Sequence, residues 1–126
     1  MIRTALLLGL VASAQAMPPE SFWRALHLTE TSGRVGPIRG DGDKALGPLQ
    51  IHRSYWQDAR VGGRYEDCAD LSYSIKVASA YLKRYAPQAW HAGDITTLAR
   101  VHNGGPNGHK KPQTLSYAAK VQRNHK

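Results

Sequence analysis

The chain has 126 residues, 17 lysines and arginines against 9 acids for a formal charge of +8, and one cysteine. That length supports one domain with a modest core and excludes a multidomain machine. A single cysteine excludes an intrachain disulfide, and six scattered histidines offer no zinc cage, so neither a metal nor another cofactor is expected.

The positive charge draws such a chain to polyanions: cell walls, acidic glycans, anionic membranes or nucleic acid. Charge alone does not choose among them.

Residues 1–16 read as an export signal. Arg3 supplies a positive start, Ala5 to Ala12 a short apolar run, and Ala14-Gln15-Ala16 a small-x-small cleavage pattern. The apolar run is shorter than the roughly 20 residues that span a bilayer. Removing the segment takes only Arg3 among the charged residues and leaves residues 17–126 as one exported domain, secreted or periplasmic, with no stable membrane insertion.

Pro18-Pro19-Glu20-Ser21 predicts a helix start, with proline in the first turn and an acid at the positive end of the dipole. Phe22, Ala25, Leu26 and Thr29 then recur at helical spacing to about Glu30, before Gly33. Glu30 thus falls at the helix C-terminus, where the macrodipole disfavours an anion and favours a carboxyl that keeps its proton.

Six glycines and prolines between Gly33 and Gly47 exclude a regular helix there. Val35 and Ile38 mark two short strands of an irregular ribbon. Gly47-Pro48 is expected to begin a short helix to about Asp58, with Leu49, Trp56 and Ile51 or His52 facing inward. Arg60–Asp67 reads as loop, and Cys68 as a small buried hydrophobe.

Asp70 is the expected N-cap of the longest helix, Leu71 to about Tyr85, with Leu71, Ile75, Ala78, Leu82 and Tyr85 inward, Val77 and Tyr81 flanking, and Pro87 as its terminator. Asp94 caps the next helix, Ile95 to about Asn103, with Gly104 as its stop. A turn-rich loop follows, then a last helix from Thr114 to about Asn124 with Leu115, Ala118 and Val121 inward. About five helical segments and one small β-ribbon make an α+β domain that is mostly α.

Cleavage of a glycosidic bond generally uses two carboxyls, one protonated to assist the leaving oxygen and one ionised beside the anomeric carbon. Glu30 fits the first role and Asp41, on a polar ribbon, the second. Spacing alone also fits a solvated helix end and a turn former. Asp41-Gly42-Asp43 is not an EF-hand, because positions five, six and twelve are Ala45, Leu46 and His52. Gly104 to Lys111 is not a phosphate loop: it follows a helix, and His109 breaks the spacing.

Four stretches in order carry a family likeness. Gly47-Pro48-Leu49-Gln50-Ile51-His52 with Tyr55-Trp56 resembles the GP-x-QI-x…YW signature of invertebrate-type, or destabilase-type, lysozymes. Ala99 to Gly108, ARVHNGGPNG, is similar to that family's A-R-x-H-N-G-G-P-x-G motif. Tyr81 to Tyr85 resembles its Y-[ML]-x-R-Y helix, and Glu30-Thr31-Ser32-Gly33 its catalytic segment. Together they span nearly the whole of residues 17–126.

The resemblance implies a lysozyme-like fold with a β-ribbon lining a sugar cleft. It also implies hydrolysis of the β-1,4 bond between N-acetylmuramic acid and N-acetylglucosamine. Glu30 takes the general-acid role. The second carboxylate maps onto Asp41 or Asp43. Asp41 is chosen because it sits nearer the family's distance ahead of Gly47-Pro48; the family's retaining chemistry would make it the nucleophile or ion stabiliser, with the carboxyls about 5 Å apart. Asp43, Gln50, His52, Tyr55, His102 and Asn103 are the expected cleft residues, and Gly104 and Gly105 would let the backbone approach substrate closely.

The family's many cysteines are missing here, which points to a cysteine-poor, bacterial branch. The isopeptidase activity credited to some members needs a serine near the second carboxylate. None lies between Asp41 and Gly47, so that activity is not carried over. Peptidoglycan glycan strands are the expected partner, a proteinaceous lysozyme inhibitor is a candidate second, and no nucleic-acid binding is expected. Lytic transglycosylase action and a non-catalytic, basic wall-binding module are the rival readings.

Overall fold

A computed structural model describes residues 18–126; the export segment expected over residues 1–16 lies outside them. The first helix, α1 (Glu20–Thr31), buries Phe22, Ala25 and Leu26 along one face, and Thr31 at its end. Ser32 ends it in the left-handed region, φ 58°, and its amide donates back to Leu28 O across 3.0 Å. The buried Thr31 hydroxyl donates to Pro48 O at 2.9 Å, which pins the helix end to the ribbon beyond. Glu30 therefore stands in the last turn, as its spacing predicts.

The ribbon is a three-stranded antiparallel sheet of two-residue strands in the order β1 (Arg39–Gly40), β2 (Ala45–Leu46), β3 (Ile51–His52). Gly40 pairs with Ala45, and Ala45 in turn with His52. The first turn runs through Asp41, Gly42 and Asp43, all at positive φ (52°, 61° and 69°), and closes with Lys44 N donating to Asp41 O.

Two expectations for this region change. Val35 is 67% exposed and in no strand, and Ile38 precedes β1, its carbonyl taken by the Gly47 amide. The helix expected from Gly47-Pro48 begins only at Arg53, as α2 (Arg53–Ala59). Gly47 and Gln50 both have positive φ, 85° and 52°, so they turn the chain back to lay Ile51–His52 on the sheet instead of starting a helix. Ile51 and Leu49 are fully buried, whereas His52 is half-buried.

A 3₁₀ turn (Tyr65–Ala69) then leads into α3 (Leu71–Tyr85). Asp70 caps α3 by accepting from the Tyr73 amide and the Ser72 hydroxyl. The buried face is Ser74, Val77, Ala78, Tyr81 and Leu82, so Val77 and Tyr81 lie at its centre and Leu71, Ile75 and Tyr85 at its margins. Pro87 ends α3 and also opens a short helix absent from the sequence reading, α4 (Pro87–Ala92), at whose first turn its missing N–H costs nothing.

Asp94 caps α5 (Ile95–Gly104) by accepting from Thr97 N. A 3₁₀ turn (Gly108–Lys110) leads to α6 (Thr114–Asn124), which packs on both α5 and α1. Its inward residues are Thr114, Ala118 and Val121. Leu115 is 54% exposed, because the buried Thr114 hydroxyl, donating to Gly108 O at 2.7 Å, fixes the helix one position round. Among the described residues six α-helices and one small sheet thus surround a single core, and no helix is long and apolar enough to cross a membrane.

Candidate active site

The end of α1, the tip of the ribbon and the end of α5 meet around one groove of about 420 Å³. Glu30 stands on the α1 side, Asp41, Ala45, Gln50 and His52 on the ribbon side, and His102 with Asn103 on the α5 side. Both carboxylates assigned from the sequence therefore face the same space.

The Glu30 side chain is 15% exposed and is held by one hydrogen bond, with an imidazole beside the same oxygen. Tyr117 Oη donates to Oε2 across 2.5 Å, and His102 Nε2 lies 3.3 Å from the same atom. The His102 tautomer follows from its partners. Nε2 is also 3.2 Å from Leu49 O, which can only accept, so Nε2 carries the hydrogen and Nδ1 accepts from Tyr55 Oη at 2.8 Å. Oε2 is thus occupied, while Oε1 has no partner among the described residues.

Burial pushes the Tyr117 hydroxyl well above its ordinary range, and the adjacent Glu30 charge and hydrogen bond push it further. Tyr55 is raised likewise, by burial first and then by Tyr81 and Glu30. Both hydroxyls stay protonated and act as donors.

Asp41 is built differently. Its side chain is 66% exposed on the positive-φ turn, and its Oδ2 lies 3.1 Å from His52 Nε2, itself 45% exposed. The ladder pair Ala45–His52 sets His52 across from the strand that leaves the turn.

Asp43, the other candidate carboxylate, faces an adjoining recess with Arg39 and Lys44 instead of the Glu30 groove. Gln50 lines the groove, but its Nε2 already donates to Ile38 O and Gly47 O, so the amide braces the ribbon. Gly40 leaves it room: a Cβ there would lie 1.9 Å from Gln50 Oε1.

Tyr55 is buried at 8% exposure, stacked on Tyr81 with ring centroids 3.6 Å apart, and reaches the groove only through His102. Gly104 and Gly105 do not line the groove. A Cβ on Gly104 would meet Thr114 Cγ2 at 2.6 Å, so it serves helix packing, and Gly105 takes φ 89° to end α5. Trp56, read as core, is partly buried and donates from Nε1 to Tyr73 Oη.

The sequence reading missed Tyr117. Its signal was available, because position 117 adjoins the inward stripe 114, 118 and 121 of α6.

The family model described as Destabilase matches residues 28–124. The lysozyme of Ostrea edulis is 41% identical over 75 residues, 58% of this chain and 55% of that protein, so the chain spans little more than half the length of that relative. The crystal structure of Tapes japonica lysozyme superposes with a TM-score of 0.73 at 32% identity, covering 86% of this chain and 91% of that one. The lysozyme of Meretrix lusoria, solved in complex with PliI of Aeromonas hydrophila, gives 0.71 at 30%, covering 84% and 89%.

Proposed function

The chain belongs to the destabilase family of invertebrate-type lysozymes, and from that premise we propose that it is an exported muramidase that hydrolyses the β-1,4 bond between N-acetylmuramic acid and N-acetylglucosamine in peptidoglycan. The observation that carries this reading is the shared groove: a nearly enclosed carboxyl, Glu30, and an open one, Asp41, face one sugar-sized space.

In the proposed reaction Glu30 Oε1 gives its proton to the leaving glycosidic oxygen as the bond to the anomeric carbon breaks. Tyr117 holds Oε2, so the carboxyl stays in place and the charge it gains is met by that hydroxyl donor, with the His102 ring packed 3.3 Å from the same oxygen. Asp41 supports the cationic anomeric carbon, as nucleophile or as counter-charge, and water then completes the substitution with Glu30 as base. His52 steadies Asp41. Asn103, exposed at the end of α5, offers an amide to sugar hydroxyls or N-acetyl groups.

Export by residues 1–16 belongs to the same reading, since the substrate lies outside the cytoplasm. A proteinaceous inhibitor is a proposed partner, by analogy with the inhibitor-bound lysozyme of Meretrix lusoria. Mass spectrometry of digested peptidoglycan tests the reaction. Reducing-end muramic acid products support it. Anhydro products would move the assignment to lytic transglycosylase, and wall binding without any sugar release would leave only a binding module.

A further inference from the structure

The Asp41–His52 pair is a partition with a second recess behind it. His52 lines both the Glu30 groove and a neighbouring hollow of about 350 Å³, whose rim carries Arg39, Lys44 and Arg53 against one carboxylate, Asp43. Arg39 and Lys44 are exposed and make no ion pair with any described residue. Arg53 is held over the Tyr65 ring, 4.5 Å from its centroid, with Glu66 3.8 Å away. The floor is firm, because Tyr65 Oη donates to Ile51 O at 2.6 Å.

With Arg53 already matched by Glu66, the hollow keeps two cations without an ion pair among the described residues, Arg39 and Lys44, and, opening beside the groove, it suits an anion carried by whatever lies in that groove. Resting on the peptidoglycan reading, the geometry points to this recess as the site for the carboxylates of the peptide stem. Every second sugar of that polymer bears a peptide that projects sideways from the strand, and its carboxyls are ionised at neutral pH. A strand in the groove carries a stem over the partition, where the Arg39 guanidinium offers paired N–H donors and Lys44 a point charge. The recess then makes the protein selective for stem-bearing strands over uncharged glycan.

The test uses sacculi free of teichoic acid, so stem carboxylates are the polymer's anions, beside the same sacculi with those carboxylates converted to amides by carbodiimide and ammonia. Binding is measured by co-sedimentation in the cold for the unaltered protein, for Arg39→Gln with Lys44→Gln, and for Lys83→Gln with Arg84→Gln, a pair of equal charge change on α3 at Trp90 and Tyr85. The unaltered protein should bind native sacculi about fivefold more tightly than amidated ones, the size of two exposed charge contacts. The Arg39/Lys44 variant should lose that gap and the Lys83/Arg84 variant keep it. Equal affinity of the unaltered protein for both sacculi, a gap kept by the Arg39/Lys44 variant, or a gap lost equally in both variants overturns the assignment. Sugar release, followed separately, reports on the glycosidase reading and not on this one.

Discussion

Tyr117 Oη donates to Glu30 Oε2 across 2.5 Å, so the last helix, α6, closes on the end of the first. One oxygen of the proposed acid is thereby committed, and the other is left for chemistry. Tyr117→Phe keeps the ring and its packing and deletes only the donor. Hydrogen bonds to charged groups contribute about 1.5–3 kcal/mol. The expected result is a fall in kcat of about tenfold or more, with KM and the circular-dichroism spectrum little changed. Steady-state kinetics on soluble glycan strands checks it.

Asp41 and His52 form an exposed pair, which contributes little to folding, about 0–1 kcal/mol. Asp41→Asn should therefore leave the urea midpoint nearly unchanged while removing most of the sugar release. The same measurements on Asp43→Asn, a residue that faces the neighbouring recess, should show much weaker loss.

Gly47 occupies a place no side chain can. Its φ is 85°, and a Cβ there would sit 1.8 Å from the carbonyl oxygen of Cys68. Gly47→Ala should cost about 3 kcal/mol or more, because both the backbone conformation and the contact with main chain must give way. Denaturant unfolding of the variant checks this, and the loss of fold should carry the ribbon and Asp41 with it.

Alkaline stability has a defined sign. Burial raises the Cys68 thiol from its ordinary 9.0 to about 12, and Tyr81 from 10.0 to about 12. Tyr55 and Tyr117 are also raised well above their ordinary range, burial being the first cause. The folded state holds these protons more tightly than the unfolded chain. Their contribution is therefore complete below the unfolded values, near 9 and 10, and is lost as pH rises toward about 12. The melting temperature should be insensitive to these groups below pH 9 and fall steadily above it. Cys68 should react with a thiol reagent only after unfolding.

Much of this was legible in the chain. Asp70 and Asp94 cap helices because a carboxylate preceding an apolar period can satisfy the free amides of a first turn, a local rule that needs no tertiary context. Glu30 could be set at a helix end from Gly33 and the spacing of Phe22, Ala25 and Leu26. The ribbon was harder. A helix was expected from Gly47 because Leu49, Trp56 and their neighbours fit helical spacing, but the positive φ of Gln50 and the pairing of Ile51–His52 with β2 depend on partners distant in sequence.

The same limit explains the site. His102 was found through its motif, whereas its bonds to Tyr55 and Leu49 cross about fifty positions of sequence, and Tyr117 lies 87 residues from Glu30. Tyr55 was expected on the cleft wall, but it lies beneath, holding His102. Gly104 was expected to admit substrate, and it admits Thr114 instead.

The central claim is that Glu30 delivers the proton that breaks the glycosidic bond. Glu30→Gln retains the shape and an oxygen that can accept from Tyr117 while removing the transferable proton. Release of reducing sugar from purified peptidoglycan by this variant, at full fold and unchanged wall binding, is the most direct measurement. A loss of at least a hundredfold is the result predicted, the scale of general-acid catalysis. Release at the rate of the unaltered protein would contradict it.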